Sequence, residues 1–383
     1  MCRQALARGH NILPVPHLVA EPPILTPGRF RSLDAVRGIA ALSVVLFHSV
    51  NSHPQVHDSA IGRVLMNGWT GVFLFFPVSG YCICAAMHRA ENASPGRFLR
   101  RRWKRIYPPY VASIIFSVAV AVMALPFNRG SADDIVLTVP AWLSILTLTQ
   151  VFTPYAGRIN PVYWSLCYEE QFYLVMALAL WLTAPRHRAA LLTAITAIVV
   201  VCETFGWAVR GLFVDYWLAF AFGIGVYLWQ HEPRDRVWAA AILLLGVVNV
   251  LQFRELSTLI SLGCAGLMLA LARIDDRIAA SPVARPLFAL GLISYSLYLV
   301  HVPVAGRLVN LLVRIHAPVW LGAVVGTAAS VACGALFFRI IERHFLVHRR
   351  GTVEAGHVMS SATEQLQAAG GSRPSPALDT ADR

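Results

Sequence analysis

Charged residues are scarce in this chain of 383 residues. Asp, Glu, Lys and Arg make up 14% of it, against about 25% in a typical soluble domain, and hydrophobic residues make up 57%. A soluble globule of this length needs more charge than that to cover its surface. The shortage excludes a soluble multidomain protein and indicates a chain that exposes much of its surface to the lipid bilayer.

Lysine and the acidic residues are the rarest charged types. The chain has 32 Lys and Arg against 20 Asp and Glu, a net charge of +12, and Lys104 is its single lysine. In a soluble protein this balance would indicate nucleic-acid binding. In a membrane protein it is explained by the collection of arginine in cytoplasmic loops. We therefore expect no nucleic-acid partner.

Paired cysteine spacings and metal-ligand motifs are also missing. The seven cysteines are odd in number, and Cys82 and Cys84 enclose only one residue, which is not the CxxC spacing of redox or zinc sites. His48, His53 and His57 follow one another in a proline-containing segment and share no fixed helical face. We predict free thiols, no metal site and no bound cofactor.

Both ends of the chain lack long apolar runs. Residues 1–30 contain no apolar core of a signal peptide, and residues 347–383 are rich in Ala, Ser, Gly and Pro, which is typical of disorder. We expect a disordered cytoplasmic N-terminal segment at 1–30, a membrane domain at 31–346 and a disordered cytoplasmic tail at 347–383. Neither end is long enough for a second catalytic domain.

What the chain has instead is a series of apolar segments, most of them long enough for a helix to cross about 30 Å of hydrocarbon. One of them, 138–152, is too short to cross comfortably, and we predict a re-entrant or interfacial helix there. The predicted fold class is therefore an all-α polytopic membrane protein with about ten transmembrane helices. The ten predicted spans are 33–52, 69–88, 107–126, 164–184, 189–208, 213–230, 237–253, 257–273, 286–304 and 319–341.

The charge pattern predicts how these helices are oriented. Residues 97–105 carry six cations in nine positions, and such clusters stay on the cytoplasmic side. The first span then runs from inside to outside. If 138–152 does not cross, the later arginine clusters are cytoplasmic as well. We expect both termini in the cytoplasm and a multi-pass protein of the cell (inner) membrane.

Two ionisable residues share the first predicted span. A charge at membrane depth costs roughly 3 kcal/mol or more, so it needs a partner or a function. Arg37 and His48 are eleven residues apart, close to three helical turns, so they share one face at a separation of about 16 Å. The alternative is that Arg37 snorkels to the interface and His48 favours the negative end of the helix.

Two carboxylates, Glu169 and Glu170, lie in the opening turns of the predicted span 164–184. Compensation of the helix dipole would explain one of them. In the predicted topology Glu169 lies at the outer end, near the depth of His48. A carboxylate beside an imidazole is the usual arrangement of a general base. We predict that His48 and Glu169 are the catalytic residues.

Several polar and aromatic side chains approach the same depth. His301 ends a polar and aromatic stretch that is typical of a cavity wall or of an interfacial aromatic belt. Ser79 and Gly80 beside Pro77 indicate close helix packing or a kink. The predicted acceptor-binding or cavity residues are Ser79, Tyr81, Trp164, Ser165, Tyr173, Tyr298 and His301.

Six motifs in order make the chain resemble acyltransferase family 3, a family of integral-membrane O-acyltransferases. One departure is visible, because His344 stands where that family usually has proline. The motifs are the Arg37-to-His48 spacing within LDAVRGIAALSVVLFH, FFPVSGY (75–81), RRWKRIYPPY (101–110), YWSLCYEEQFYL (163–174), SYSLYLVH (294–301) and IERHF (341–345).

The resemblance implies that residues 31–346 form a membrane acyltransferase domain. Such a domain moves an acyl group, often acetyl, from cytoplasmic acyl-CoA to a hydroxyl. The implied acceptor is a cell-surface or exopolysaccharide carbohydrate, or alternatively a glycosylated secreted small molecule such as a macrolide. By motif match His48 and Glu169 take the catalytic positions, while Arg37, Arg102 and Arg105 take positions associated with the CoA donor.

Two alternatives stay open at this point. His48 acts either as a general base or as a nucleophile that forms an acyl-histidine. A secondary transporter with an intramembrane His and Glu proton relay is the rival class, because such relays also place ionisable residues inside spans.

Overall fold

The computed structural model describes residues 30–89, 92, 94–126 and 137–346. Every regular element in these ranges is a helix, and no strand occurs in them. The expected disordered segments, 1–30 and 347–383, lie outside the described residues apart from Phe30.

Ten helices of 16 residues or more occur in the described part of the chain. We number them α1 to α10. Their bounds are Ser32–Val50 (α1), Val72–Met87 (α2), Pro95–Ala124 (α3), Trp164–Leu182 (α4), Arg188–Thr204 (α5), Val214–His231 (α6), Arg236–Phe253 (α7), Leu256–Ala272 (α8), Ser294–Arg314 (α9) and Val319–Ile340 (α10).

Length and apolar composition make the chain a multi-pass membrane protein. Seven helical stretches among the described residues are long and apolar enough to cross a membrane. Large apolar side chains also remain exposed on the outward helix faces, and Met123, Leu251 and Val324 expose 75%, 71% and 67% of their surface. Such exposure suits contact with lipid and would be costly in water.

Two predicted segments differ in detail from the structure, whereas 138–152 forms a short helix as predicted. The apolar segment 138–152 forms the helix Val139–Leu146 and a 3-10 turn, and eight helical residues extend only about 12 Å. The cationic stretch 97–105 is helical rather than a loop, because α3 begins at Pro95 after the cap Ser94. The predicted span 286–304 is divided at Ile293, where the short helix Arg285–Leu292 ends and α9 begins.

Two prolines inside helices receive help from neighbouring helices. Proline lacks an N–H, so the carbonyl four residues earlier loses its helical donor. For Pro77 in α2 that carbonyl belongs to Phe73, and the Ser261 hydroxyl donates to it at 3.0 Å. For Pro303 in α9 it belongs to Leu299. There the donor is a side chain outside the helix, the Asn160 amide nitrogen at 2.9 Å. Both replacement donors satisfy the rule that a polar backbone group in a bilayer must be paired within the protein.

The start of α1 is held by a residue from the other half of the chain. The carboxylate of Asp275 accepts hydrogen bonds from the backbone N–H groups of Arg31 and Ser32, at 3.0 and 2.7 Å, and from the Ser32 hydroxyl at 2.6 Å. A carboxylate at a helix N-terminus satisfies free N–H groups and favours the helix dipole. This contact fixes the end of α1 that carries Arg37.

Helices α2 and α6 cross at two glycines. A Cβ added to Gly80 would lie 2.0 Å from the carbonyl oxygen of Phe220, and one added to Gly223 would lie 1.8 Å from that of Pro77. The backbones therefore touch, as small residues allow at membrane helix crossings. The Ser79–Gly80 pattern beside Pro77 is thus explained by packing at its glycine.

We expect Gly80→Val to separate α2 from α6 and to lower the melting temperature of the detergent-purified protein. Gly263→Val is the matched control, because Gly263 also lies in a helix and a Cβ there meets nothing within 4 Å. Thermal unfolding followed by size-exclusion recovery measures both variants. Equal losses in the two would contradict the crossing.

Candidate active site

Helix α1 supplies two of the predicted site residues and defines two ends of the site. Arg37 lies in its second turn and His48 in its last turn, about 16 Å apart along the axis. Both side chains are partly buried. We call the surroundings of Arg37 the arginine end and those of His48 the histidine end.

At the histidine end, His48 packs against His301. The two ring centroids are 5.2 Å apart and the rings are tilted by 54°. His301 belongs to α9 and is fully buried. Its ring also contacts that of Tyr298, at 5.9 Å. The predicted cavity-wall residue is therefore the direct neighbour of the predicted base.

Tyr298 and Ser165 join α9 to α4 beside this pair. Their hydroxyl oxygens are 2.7 Å apart, and the Tyr298 hydroxyl lies 2.9 Å from the carbonyl oxygen of Val162. Trp164 precedes Ser165 and packs its ring on Phe76 at 6.3 Å. Of these three predicted residues, Tyr298 contacts the His301 ring and Ser165 contacts the Tyr298 hydroxyl.

Glu169 lies one turn further along α4 and is held by two hydroxyls. Its Oε1 accepts hydrogen bonds from Ser79 of α2, at 2.8 Å, and from Tyr173 on the next turn of α4. The structure therefore brings together Glu169 and the predicted residues Ser79 and Tyr173. Among the described side chains no hydrogen bond joins Glu169 to His48, so the directly bonded pair that the sequence suggested is not formed. Glu169 interacts with Tyr298 electrostatically, without a hydrogen bond between them.

Tyr81 is the predicted site residue that lies elsewhere. Its hydroxyl contacts the His231 ring nitrogen at 2.7 Å and Gln230 at 3.2 Å, and its ring meets that of Phe30 at 5.7 Å. Phe30 precedes α1, so Tyr81 belongs to the arginine end. Its position two residues after Ser79 turns it to another face of α2.

The cationic stretch of α3 divides by helix face. Arg102 and Arg105 lie partly buried, whereas Arg100 and Lys104 are exposed. The guanidinium of Arg102 lies 5.7 Å from the centre of the Phe98 ring, and its Nε is buried without a hydrogen-bond partner.

The buried arginines reach the residues that hold Glu169. The positive charges of Arg102 and Arg105 act on Tyr173, which donates to Glu169. Arg102 and Arg105 are thus linked electrostatically to Tyr173 and through its hydroxyl to Glu169, and no hydrogen bond among the described side chains continues from Glu169 to His48 or His301. Sequence spacing alone did not show this connection, because it runs between α3 and α4.

Glu342 lies in the motif IERHF and was not among the predicted site residues. It is 2% exposed and accepts hydrogen bonds from the N–H and the hydroxyl of Ser296, at 3.1 and 2.5 Å, in the first turn of α9. Burial raises the pKa of Glu342, while Ser296 and the charges of Arg105 and Arg37 act against that rise. The signal that could have found it is a single acid closing an apolar helix.

Two cavities occur elsewhere among the described residues. Within the described ranges no group of three or more His, Cys, Asp or Glu side chains is placed to hold a metal ion. A cavity of about 210 Å³ lies between α3, α9 and residues 157–161. A second, of about 420 Å³, lies along Arg101, Lys104 and His344 on the surface. Neither is lined by His48 or Glu169.

The fold and the site define a helical multi-pass membrane protein with ionisable side chains near both ends of α1. Comparison with known proteins gives that class a family. The chain belongs to a family of acyltransferases, since the sequence model described as "Acyltransferase domain" matches residues 30–339. The resemblance inferred from the six motifs is thereby confirmed.

Individual relatives cover different shares of the chain. "Putative membrane-bound transacylase BcsY" of Komagataeibacter xylinus is 27% identical over 357 residues, 85% of either protein. "Protein 2 in picA locus" of Rhizobium radiobacter is 32% identical over 107 residues, 26% of this chain and 52% of that protein. "O-acetyltransferase OatA" of Staphylococcus aureus is 26% identical over 167 residues, 40% of this chain and 25% of that protein. No solved structure matches the chain significantly.

The environment of Glu342 predicts a pH-dependent effect of its replacement. Because its pKa is raised in the folded protein, its stabilising contribution is present at acid pH and is lost as the pH rises through the folded pKa. Glu342→Gln stays neutral and can still accept a hydrogen bond from Ser296. We expect the melting temperature of Glu342→Gln, relative to wild type, to increase from pH 4.5 to pH 8. A difference that is constant with pH would contradict this environment.

Proposed function

We propose that the chain is an O-acyltransferase that moves an acyl group, acetyl in the first instance, from acyl-CoA to a hydroxyl of a carbohydrate-type acceptor. The observation that carries the proposal is the placement of Arg37 and of the His48–His301 pair at the two ends of α1, in a chain whose family is that of acyltransferases. The printed names of two relatives, a transacylase and an O-acetyltransferase, support the same class.

The proposed donor site is the arginine end. CoA carries phosphates, which guanidinium groups recognise through paired hydrogen bonds. Arg102 supports this assignment, because a buried donor without a partner is costly unless a ligand completes it. Arg37 and Arg105 add positive charge around Glu342. A pantetheine arm laid along α1 would cover the distance of about 16 Å and present its thioester near His48.

The proposed chemistry at the histidine end is general-base catalysis. An unprotonated ring nitrogen of His48 takes the proton of the acceptor hydroxyl while that oxygen attacks the thioester carbonyl. The tetrahedral intermediate then breaks its carbon–sulfur bond, and the CoA sulfur receives the proton from His48. The oxyanion needs hydrogen-bond donors, and the Tyr298 and Ser165 hydroxyls would have to exchange their present bonds to Val162 and to each other to serve as such. Attack by His48 itself to give an acyl-histidine remains the variant.

Glu169 is the second proposed catalytic residue. Two hydroxyls, those of Ser79 and Tyr173, donate hydrogen bonds to its carboxylate, and the charges of Arg102 and Arg105 act on Tyr173. From there its negative charge acts on the positive charge that develops on His48 during proton transfer. This role needs no direct hydrogen bond between the two side chains.

The proposed topology uses all ten long helices as spans. The helix Val139–Leu146 is too short to cross, which supports an even number of spans and both termini in the cytoplasm. The exposed cations of α3 then lie at the cytoplasmic surface, as the positive-inside rule requires, and the arginine end faces cytoplasmic acyl-CoA. We place the protein in the cell (inner) membrane.

The acceptor and the rival class can be separated by one labelling experiment. Membranes are incubated with radiolabelled acetyl-CoA and with extracted surface glycans or secreted glycosylated metabolites. Label on the glycan supports the carbohydrate acceptor, and label on the metabolite supports the alternative acceptor. A transporter would leave all label on CoA. The family assignment favours the acyltransferase over that transporter.

We expect His48→Ala and Glu169→Gln each to lower acyl transfer by about 10²- to 10⁴-fold, the usual contribution of a general acid or base. His187→Ala is the matched control, because that histidine is exposed at a helix connection. Transfer from labelled acetyl-CoA is measured at equal amounts of membrane-inserted protein. Near-wild-type turnover in the His48 variant would end the proposed chemistry.

The two faces of α3 give a second test. We expect Arg102→Gln to raise the KM for acyl-CoA by roughly 10- to 100-fold, since a hydrogen bond to a charged group is worth about 1.5–3 kcal/mol. Arg100→Gln, two residues away on the exposed face, should leave that KM unchanged. Equal effects of the two substitutions would show that the buried face does not bind the donor.

A further inference from the structure

The protonation of the His301 ring follows from its backbone contacts. Its Nδ1 lies 2.9 Å from the carbonyl oxygen of Tyr298 and 3.1 Å from that of Leu297. Carbonyl oxygens only accept, so Nδ1 carries the hydrogen, and a neutral imidazole then has a lone pair on Nε2. The ring therefore offers an acceptor on its other side.

That acceptor has no partner of its own. Nε2 of His301 has no hydrogen-bond partner among the described residues, and the whole residue is 0% exposed. An unsatisfied buried acceptor costs about 1–3 kcal/mol. Tyr298, in ring contact with His301, cannot supply the donor, because its hydroxyl is already bonded to Val162 and Ser165. The remaining ring in contact is that of His48.

The two histidines are held in fixed positions by the packing of α1 on α9. Ala41 and Val45 of α1 form a small apolar cluster with Leu297, one turn before His301. The Asn160 bond to Leu299 holds the backbone of α9 where Pro303 interrupts it. The two ring centroids are 5.2 Å apart and tilted by 54°, and no hydrogen bond joins the rings among the described side chains.

We propose that His301 is the positioning residue of His48. The N–H of His48 donates to Nε2 of His301, which leaves the other ring nitrogen of His48 unprotonated and able to take the proton of the acceptor hydroxyl. This is the orienting task that a carboxylate performs in a catalytic triad. A neutral partner performs it without the cost of a second charge inside the membrane. Glu169 is not available for it in this structure, because Ser79 and Tyr173 hold its carboxylate.

The inference rests on the proposed acyl transfer, and its test compares two substitutions of similar size. His301→Gln keeps an acceptor oxygen near the position of Nε2, whereas His301→Leu removes it. Ser330→Ala is the structural control, because Ser330 bonds only backbone carbonyl oxygens, those of His301 and Gly326. The full-length variants are purified in detergent and matched for size-exclusion profile and melting temperature before kcat and KM for acetyl-CoA are measured.

We expect His301→Leu to lower kcat by about 10- to 100-fold, a part of what general-base catalysis supplies, and to leave the KM for acetyl-CoA unchanged. His301→Gln should restore most of kcat, and Ser330→Ala should keep the wild-type value. Wild-type kcat in His301→Leu, or equal losses in the Leu and Gln variants, would overturn the proposal.

A second readout does not need enzymatic activity. Diethyl pyrocarbonate modifies unprotonated histidine nitrogens, and mass spectrometry measures its product at His48. We expect His48 to react more slowly in His301→Leu, because the tautomer that leaves its accessible nitrogen unprotonated is no longer favoured, and to keep the wild-type rate in His301→Gln. Should the wild type fail to use acetyl-CoA while this pattern holds, the proposed function fails and the pairing stands. Unchanged His48 reactivity in both variants would overturn the pairing.

Discussion

A polar group inside the bilayer must be satisfied by the protein itself, and this constraint governs both the fold and the site. Ser261 and Asn160 supply donors to the carbonyls that Pro77 and Pro303 leave free. Because freed polar groups are paired in this way, a buried polar atom without a partner indicates a place where a ligand or another side chain can bind. The buried Nε of Arg102 and the buried Nε2 of His301 lack partners in the described structure. We propose that the first of these atoms meets a phosphate of the donor and that the second accepts a hydrogen bond from the imidazole of His48.

The division of α3 separates the residues for which two different purposes are proposed. Exposed cations such as Lys104 suit the cytoplasmic surface and the orientation of the helix. Arg102 and Arg105 turn inward, toward Tyr173 and toward Glu342. Topogenic charge and ligand binding were alternative explanations of the same residues at the sequence level. Burial separates these residues into an exposed set and a partly buried set, because a helix presents neighbouring residues to different surroundings, and the proposed donor site uses the partly buried set.

Much of the fold was predictable because a bilayer imposes a simple length and polarity rule. The ten long helices overlap the ten predicted spans, and 138–152 was recognised as too short. The break at Ile293 was not predicted, since residues on both sides of it are equally apolar. The positions of Asn160 and Glu342 were not predicted either. Their importance comes from a carbonyl in α9 and from Ser296 at its start, both of which are distant in sequence.

The sequence by itself determined the class of protein, the motifs of its family and the placement of Arg37 and His48 on one helix. Composition, segment length and helical period are enough for those conclusions. Only the tertiary structure decided which side chains meet. It placed His301 against His48, and it placed Glu169 where the Ser79 and Tyr173 hydroxyls donate hydrogen bonds to it. Period and depth fix the face and the level of a residue on its own helix, but the neighbour of that face depends on how all the helices pack.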